Sequence, residues 1–114
     1  MINNIMDDGS LAFLNIPRDE NNKHLKGADT SQQKLTNLTF KVTDFIKDIN
    51  TKYGEKRYLV QIEFDDPVPS GHEKTEKFFT NSRDIKYIID EIEKRKAFPR
   101  RVTMHASGTR YYFE

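Results

Sequence analysis

Residues 78–96 read FFTNSRDIKYIIDEIEKRK, and this stretch decides the fold because a strand ends and a helix begins inside it. Asn81 and Ser82 each offer a side-chain oxygen to the unpaired amides of a first helical turn, and Asp84 puts negative charge at the positive end of the helix dipole. Ile85, Ile88, Ile89 and Ile92 then recur at the i, i+3, i+4, i+7 spacing of one helical face. Isoleucine is not a residue chosen for helix propensity, so the stripe is placed for burial against an apolar surface. Lys94, Arg95 and Lys96 complement the negative end of the dipole, and Pro99 stops the helix. One helix is therefore expected, late in a chain that otherwise alternates like strand.

Working outward, Leu38, Phe40 and Val42 alternate with Thr39, Lys41 and Thr43, the period of a half-buried strand. The phase is lost at Asp44-Phe45-Ile46, as at a bulge, and Ile49 resumes it. Tyr53-Gly54 marks a turn. Tyr58, Val60, Ile62 and Phe64 then face one way against Leu59, Gln61 and Glu63. Pro67, Pro69 and Gly71 make 65–71 a loop, and Lys74 to Thr80 is a third strand. After the helix, Val102, Met104 and Ala106 alternate with Arg101, Thr103 and His105, and Ser107-Gly108-Thr109 turns the chain into a closing strand from Arg110 to Phe113. So short a connection predicts a hairpin.

At 114 residues the chain is expected to form one domain with a single modest core. With 35% hydrophobic and 32% charged residues it is polar yet still able to bury a core, which excludes disorder throughout. The formal net charge of +1 by itself points neither to nucleic acid nor to a membrane. The absence of cysteine excludes disulfides and thiolate metal sites and suits a reducing compartment. No apolar run approaches the about 20 residues of a membrane span, and the start lacks the features of a signal peptide, so a cytoplasmic protein without membrane partners is expected. Residues 1–33 differ from the rest, with three basic and five acidic residues, and are expected to be a partly flexible arm before a domain at 34–114. Within the arm, Leu11 to Ile16 is short and apolar, and Pro17 ends it. It is either a sticky part of a tail or a segment able to add to the domain or to a neighbouring copy, giving a homo-oligomer.

Three strands in meander, one helix and a two-stranded hairpin is the element order of a five-stranded Greek-key barrel, the OB-fold, with the helix between strands three and four. From about Leu38 to Glu114 the chain resembles the small OB-fold single-stranded-DNA-binding proteins of phages and mobile elements. The resemblance rests on the Tyr53-Gly54 turn, on KFFTNS (Lys77 to Ser82) leading into the helix, and on GTRYYF (Gly108 to Phe113) as the last strand. It implies a mainly β fold and binding of single-stranded DNA, or of RNA, without strong sequence preference, in support of replication or recombination.

In such barrels the ligand lies across strands two and three, between the loop joining strands one and two and the loop joining four and five. Around the first loop stand Lys47, Lys52, Tyr53, Lys56 and Arg57, partly offset by Asp48 and Glu55. Cations for phosphates and flat rings for unpaired bases are what such a site needs. Phe78 and Phe79 must face opposite ways, and the outward one, taken as Phe79, stands beside Lys77; a bulge would exchange the pair. Tyr111 with Phe113 is assigned to the core and Tyr112 with Arg110 to the outside, while Arg101, opening the fourth strand, either reaches a backbone or lies on a plain surface.

His24, His72 and His105 are far apart, and no glycine-rich phosphate loop, nucleophile elbow or metalloprotease motif occurs, so no catalytic group, metal or cofactor is expected. The expected function is non-enzymatic binding of single strands. The rival expectation, motivated by the weak net charge, is a module that docks on a replication or regulatory protein. An oligosaccharide is a further ligand compatible with the barrel.

Overall fold

The computed structural model describes residues 24–114, and the alternating stretches form one mainly β sheet there. In chain order the elements are β1 (Ala28–Asp29), α1 (Gln32–Leu35), β2 (Thr39–Thr51), β3 (Gly54–Glu63), β4 (Thr75–Thr80), α2 (Arg83–Lys94), β5 (Arg100–Ser107) and β6 (Arg110–Phe113). Ser82 is the cap of α2, its Oγ accepting from the Ile85 amide at 3.2 Å. Ile85, Ile89 and Ile92 are buried, and Ile88, at the margin of the stripe, is half-buried. The fully buried layer beneath them comes from alternate residues of neighbouring strands: Phe40 and Val42, Val60 and Ile62, Phe78, and Met104. Each such side chain contributes about 1.5–3 kcal/mol by leaving water.

β2 and β3 pair antiparallel from Lys41↔Glu63 to Thr51↔Gly54, with a register shift between Val42 and Asp44, next to where the alternation loses phase. A bulge there bends the strand, so β2 can pair with β5 over Thr39–Val42 and then turn away with β3. β4 continues the sheet through Val60↔Phe78, and β5 and β6 form the expected hairpin.

Five strands closing into a barrel were expected; the backbone ladder draws an open six-stranded sheet in the order β1-β4-β3-β2-β5-β6. The cause is the edge of β4. That edge is taken in parallel by β1, through Ala28↔Glu76 and Asp29↔Lys77, and then by α1, whose Gln32 Oε1 accepts from the Thr80 hydroxyl. β6 meets the cap of α2 instead, the Ser82 hydroxyl donating to the Tyr111 carbonyl at 2.7 Å. β1 lies within the stretch assigned to the arm, and α1 straddles the expected boundary at residue 33. The Leu11 to Ile16 segment, with any oligomer it would support, lies outside the described residues.

Besides the Thr80 hydroxyl, Glu76 and Tyr58 bring polar groups into this core. Glu76, only 3% exposed, accepts from the Glu73 amide at 2.8 Å, and its other oxygen lies 2.9 Å from His72 Nδ1. The His72 ring packs 5.2 Å from that of Phe64, so the pair closes the loop between β3 and β4. Tyr58 is buried and donates to Asp90 of α2 at 2.8 Å. Burial, then this hydrogen bond, raises its pKa above the usual 10.0. Because the fold favours the neutral phenol, the stability it confers is complete below pH 10 and declines as pH rises toward the folded-state pKa. Denaturant melts across the alkaline range should show this decline, and Tyr58→Phe should flatten it. Parallel curves for the two proteins would show that the phenol is not linked to folding.

Candidate nucleic-acid interface

Alternation along β3 and β4 decides which side chains leave the core. Tyr58, Val60 and Ile62 go inward, so Arg57, Leu59 and Gln61 line the outer face; Phe78 is buried at 1% exposure, so Lys77 and the half-buried Phe79 join them. Phe79 lies opposite Leu59, and the Arg57 guanidinium sits 4.7 Å from the Phe79 ring centroid. Thr51 accepts from Arg57 Nη1 at 3.0 Å, which fixes the guanidinium over the ring. At the tip of the β2–β3 hairpin Tyr53 is 78% exposed, with the Lys52 ammonium 5.1 Å from its ring centroid.

Tyr53, Arg57 and Phe79 line one groove of about 330 Å³ with Tyr111 and residues 30–33. Gln32 and Tyr111 also border a second hollow of about 700 Å³, which runs past Asn81, Ser82 and Arg83 to Asp84, Thr109 and Arg110. The two are neighbours with Gln32 and Tyr111 as shared walls, one on the side of the first loop and the other on the side of the second. Gln32, Tyr111 and the 30–33 segment carry no signal in the sequence for such a role. Residues 30–33 reach the groove because β1 pairs with β4, about 48 residues away along the chain, and Tyr111 reaches it from β6 beside the cap of α2.

The other residues singled out in the sequence are distributed differently. Among the described residues Lys52 and Lys56 have no ion-pair partner, whereas Lys47 lies 4.0 Å from Glu93. Arg101 holds Asp65 at 2.9 Å and keeps that carboxyl below its usual pKa. Arg110 is paired with Asp84 at 2.7 Å, which raises the pKa of the guanidinium. Tyr112 faces outward, stacked 5.4 Å from His105 with Arg110 5.1 Å from its ring, while Tyr111 and Phe113 pack on the core. Lys77 is bound by the chain's own β1 segment, 3.4 Å from Asp29. Tyr53, Arg57 and Phe79, with Lys52 at the tip, are thus the expected residues that the fold gathers at one groove.

No group of three or more potential metal ligands occurs among the described residues, and none of their helices is long and apolar enough to cross a membrane. No curated protein and no solved structure matches the chain. A family model for a domain of unknown function, DUF8468, matches residues 26–114. That match takes in both helices and all six strands, and the chain belongs to the DUF8468 family.

Proposed function

We propose that the protein binds single-stranded nucleic acid, DNA in the first instance, across the outer face of β3 and β4 and without strong sequence preference. The sheet is taken as an OB-type barrel in which β1 and α1 fill the gap between β4 and β6. Its support is the connectivity: a meander β2–β4, a helix, and a hairpin whose first strand returns to pair with β2. The observation that carries the function is the convergence of Tyr53, Arg57 and Phe79 on one groove. The exposed Tyr53 ring and a guanidinium plane backed by Phe79, on a sheet surface, are what unpaired bases stack on, each stack being worth about 1–3 kcal/mol. Lys52 and Lys56 beside them supply charge for the backbone. The protein acts as a binder rather than an enzyme, in the cytoplasm, in replication or recombination of a phage or mobile element; this biological setting follows from the resemblance of the KFFTNS and GTRYYF segments.

Three cations, Arg57 in the groove with Lys52 and Lys56 near the hairpin tip, set a modest electrostatic share. At about 0.7 released counterions per phosphate on a single strand, three contacts give a log–log salt slope near −2. Fluorescence anisotropy with an oligo(dT) of about 30 nucleotides should therefore show affinity falling roughly fifteenfold between 50 and 200 mM salt, with weaker binding of duplex. No binding of the oligonucleotide at low salt would defeat the proposal and favour docking of a protein partner on the same face.

A further inference from the structure

Gly27 has φ +108°, and a Cβ added to it would stand 2.6 Å from the Thr75 carbonyl oxygen. No side chain fits there, so the backbone of this segment is pressed directly on β4. Around that point the segment is tied to the outer face. The Lys26 amide donates to Gln61 Oε1 at 2.6 Å, and the Gly27 carbonyl accepts from Lys77 Nζ at 2.7 Å. The Asp29 carboxylate lies 3.4 Å from the same ammonium, and the Thr30 amide donates to the Lys77 carbonyl at 2.9 Å. Gln61 and Lys77 are partners in the β3–β4 register and share the outer face with Arg57 and Phe79. One face thus has two halves: an open end at Arg57 and Phe79, and an end at Gln61 and Lys77 covered by the chain itself.

The cover is lightly held. β1 has only two residues in parallel pairing, both exposed, and the Asp29 side chain is 86% exposed. Segments with so few buried contacts belong to the low-stability end of a structure and open without global unfolding. The groups that engage Lys77 are a carbonyl and a carboxylate oxygen, the donor-free oxygens that a phosphate also presents.

Resting on the nucleic-acid reading of this face, we infer that Gln61 and Lys77 form a second ligand subsite, for the next phosphate and nucleotide of a bound strand. In the free protein residues 26–30 fill this subsite as an internal competitor. A strand entering at Phe79 displaces them and extends its contact along β4. Because only the uncovered fraction of the protein offers the full site, the apparent affinity is lowered by that fraction.

Gly27→Ala tests this in the full chain, since the methyl group cannot lie against Thr75 and the segment must lift. Oligo(dT) binding should tighten about fivefold, as it would if roughly a fifth of the wild type were uncovered. The log–log salt slope should stay that of the wild type, because the bound complex makes the same phosphate contacts in both proteins. Lys77→Ala should weaken binding less in the wild type, where the lost strand contact is offset by a looser cover, than in the Gly27→Ala background, where it should cancel the gain. Asp29→Ala, a milder change at an exposed position, should move affinity the same way and stands in if Gly27→Ala lowers the melting temperature. Hydrogen exchange at the Thr30 amide should quicken when oligo(dT) binds the wild type. If the wild type binds but neither Gly27→Ala nor Asp29→Ala changes affinity, the internal competitor is wrong and the groove at Phe79 stands. Equal weakening by Lys77→Ala in both backgrounds would also overturn it. If no variant binds, the competitor and the nucleic-acid function fall together.

Discussion

Phe79→Ala is expected to weaken oligo(dT) binding by about ten- to a hundredfold while leaving the melting temperature nearly unchanged. Phe79 is half-buried on the outer face, so its ring supports little of the core, yet it forms the floor of the groove. Removing it takes away the surface that holds the Arg57 guanidinium, 4.7 Å above it, and with that platform one base stack, about 1–3 kcal/mol. Arg57→Ala should therefore cost less in the Phe79→Ala background than in the wild type, since the two side chains act as one platform. Phe78→Ala is the internal contrast: at 1% exposure, this neighbour should cost about 3–5 kcal/mol of stability. Anisotropy titrations alongside thermal melts separate the two positions. Unaltered oligo(dT) affinity in Phe79→Ala would remove stacking on this face as the basis of binding.

Phe78 and Phe79 also show how far the sequence reaches. Alternation alone requires one of them to face out, and the neighbouring Lys77 selects Phe79, which is the arrangement found. The helix was legible for a similar reason: a capping residue, four isoleucines at helical spacing, a basic end and a proline all agree, and α2 runs from Arg83 to Lys94. What the sequence does not reveal are the long-range decisions. Nothing in a two-residue strand at Ala28–Asp29 has a period, so its pairing with β4, and with it the open edge of the sheet, leaves no local trace. The same holds for charge. Lys47, Lys77, Arg101 and Arg110 look like a cationic rim when read in order, but folding sets Glu93, Asp29, Asp65 and Asp84 against them. Ion pairs between residues 26 to 48 positions apart are settled by topology, and a local excess of lysine cannot show which cations stay available.

The His72–Glu76 pair gives a second large expected effect on stability. Glu76 is a carboxylate at 3% exposure in a strand whose other inward residues are Phe78 and Thr80, and its burial is tolerable because both oxygens have donors. His72→Ala removes one of these donors and leaves the Glu73 amide alone to offset the buried charge. Breaking a buried pair from one side costs about 3 kcal/mol or more, which for a domain of this size lowers the melting temperature by over about 12 °C. The loss includes packing, because the imidazole lies against Phe64. The two contributions can be separated. Glu76→Leu combined with His72→Ala leaves no stranded carboxylate, so the double variant should regain much of the stability despite missing two polar groups. Oligo(dT) affinity at the Phe79 end should be unchanged in both proteins below their melting temperatures, since neither residue lines the groove. If His72→Ala melts within a few degrees of the wild type, or if the double variant is less stable than His72→Ala, the pair is not what keeps this end of β4 in the core.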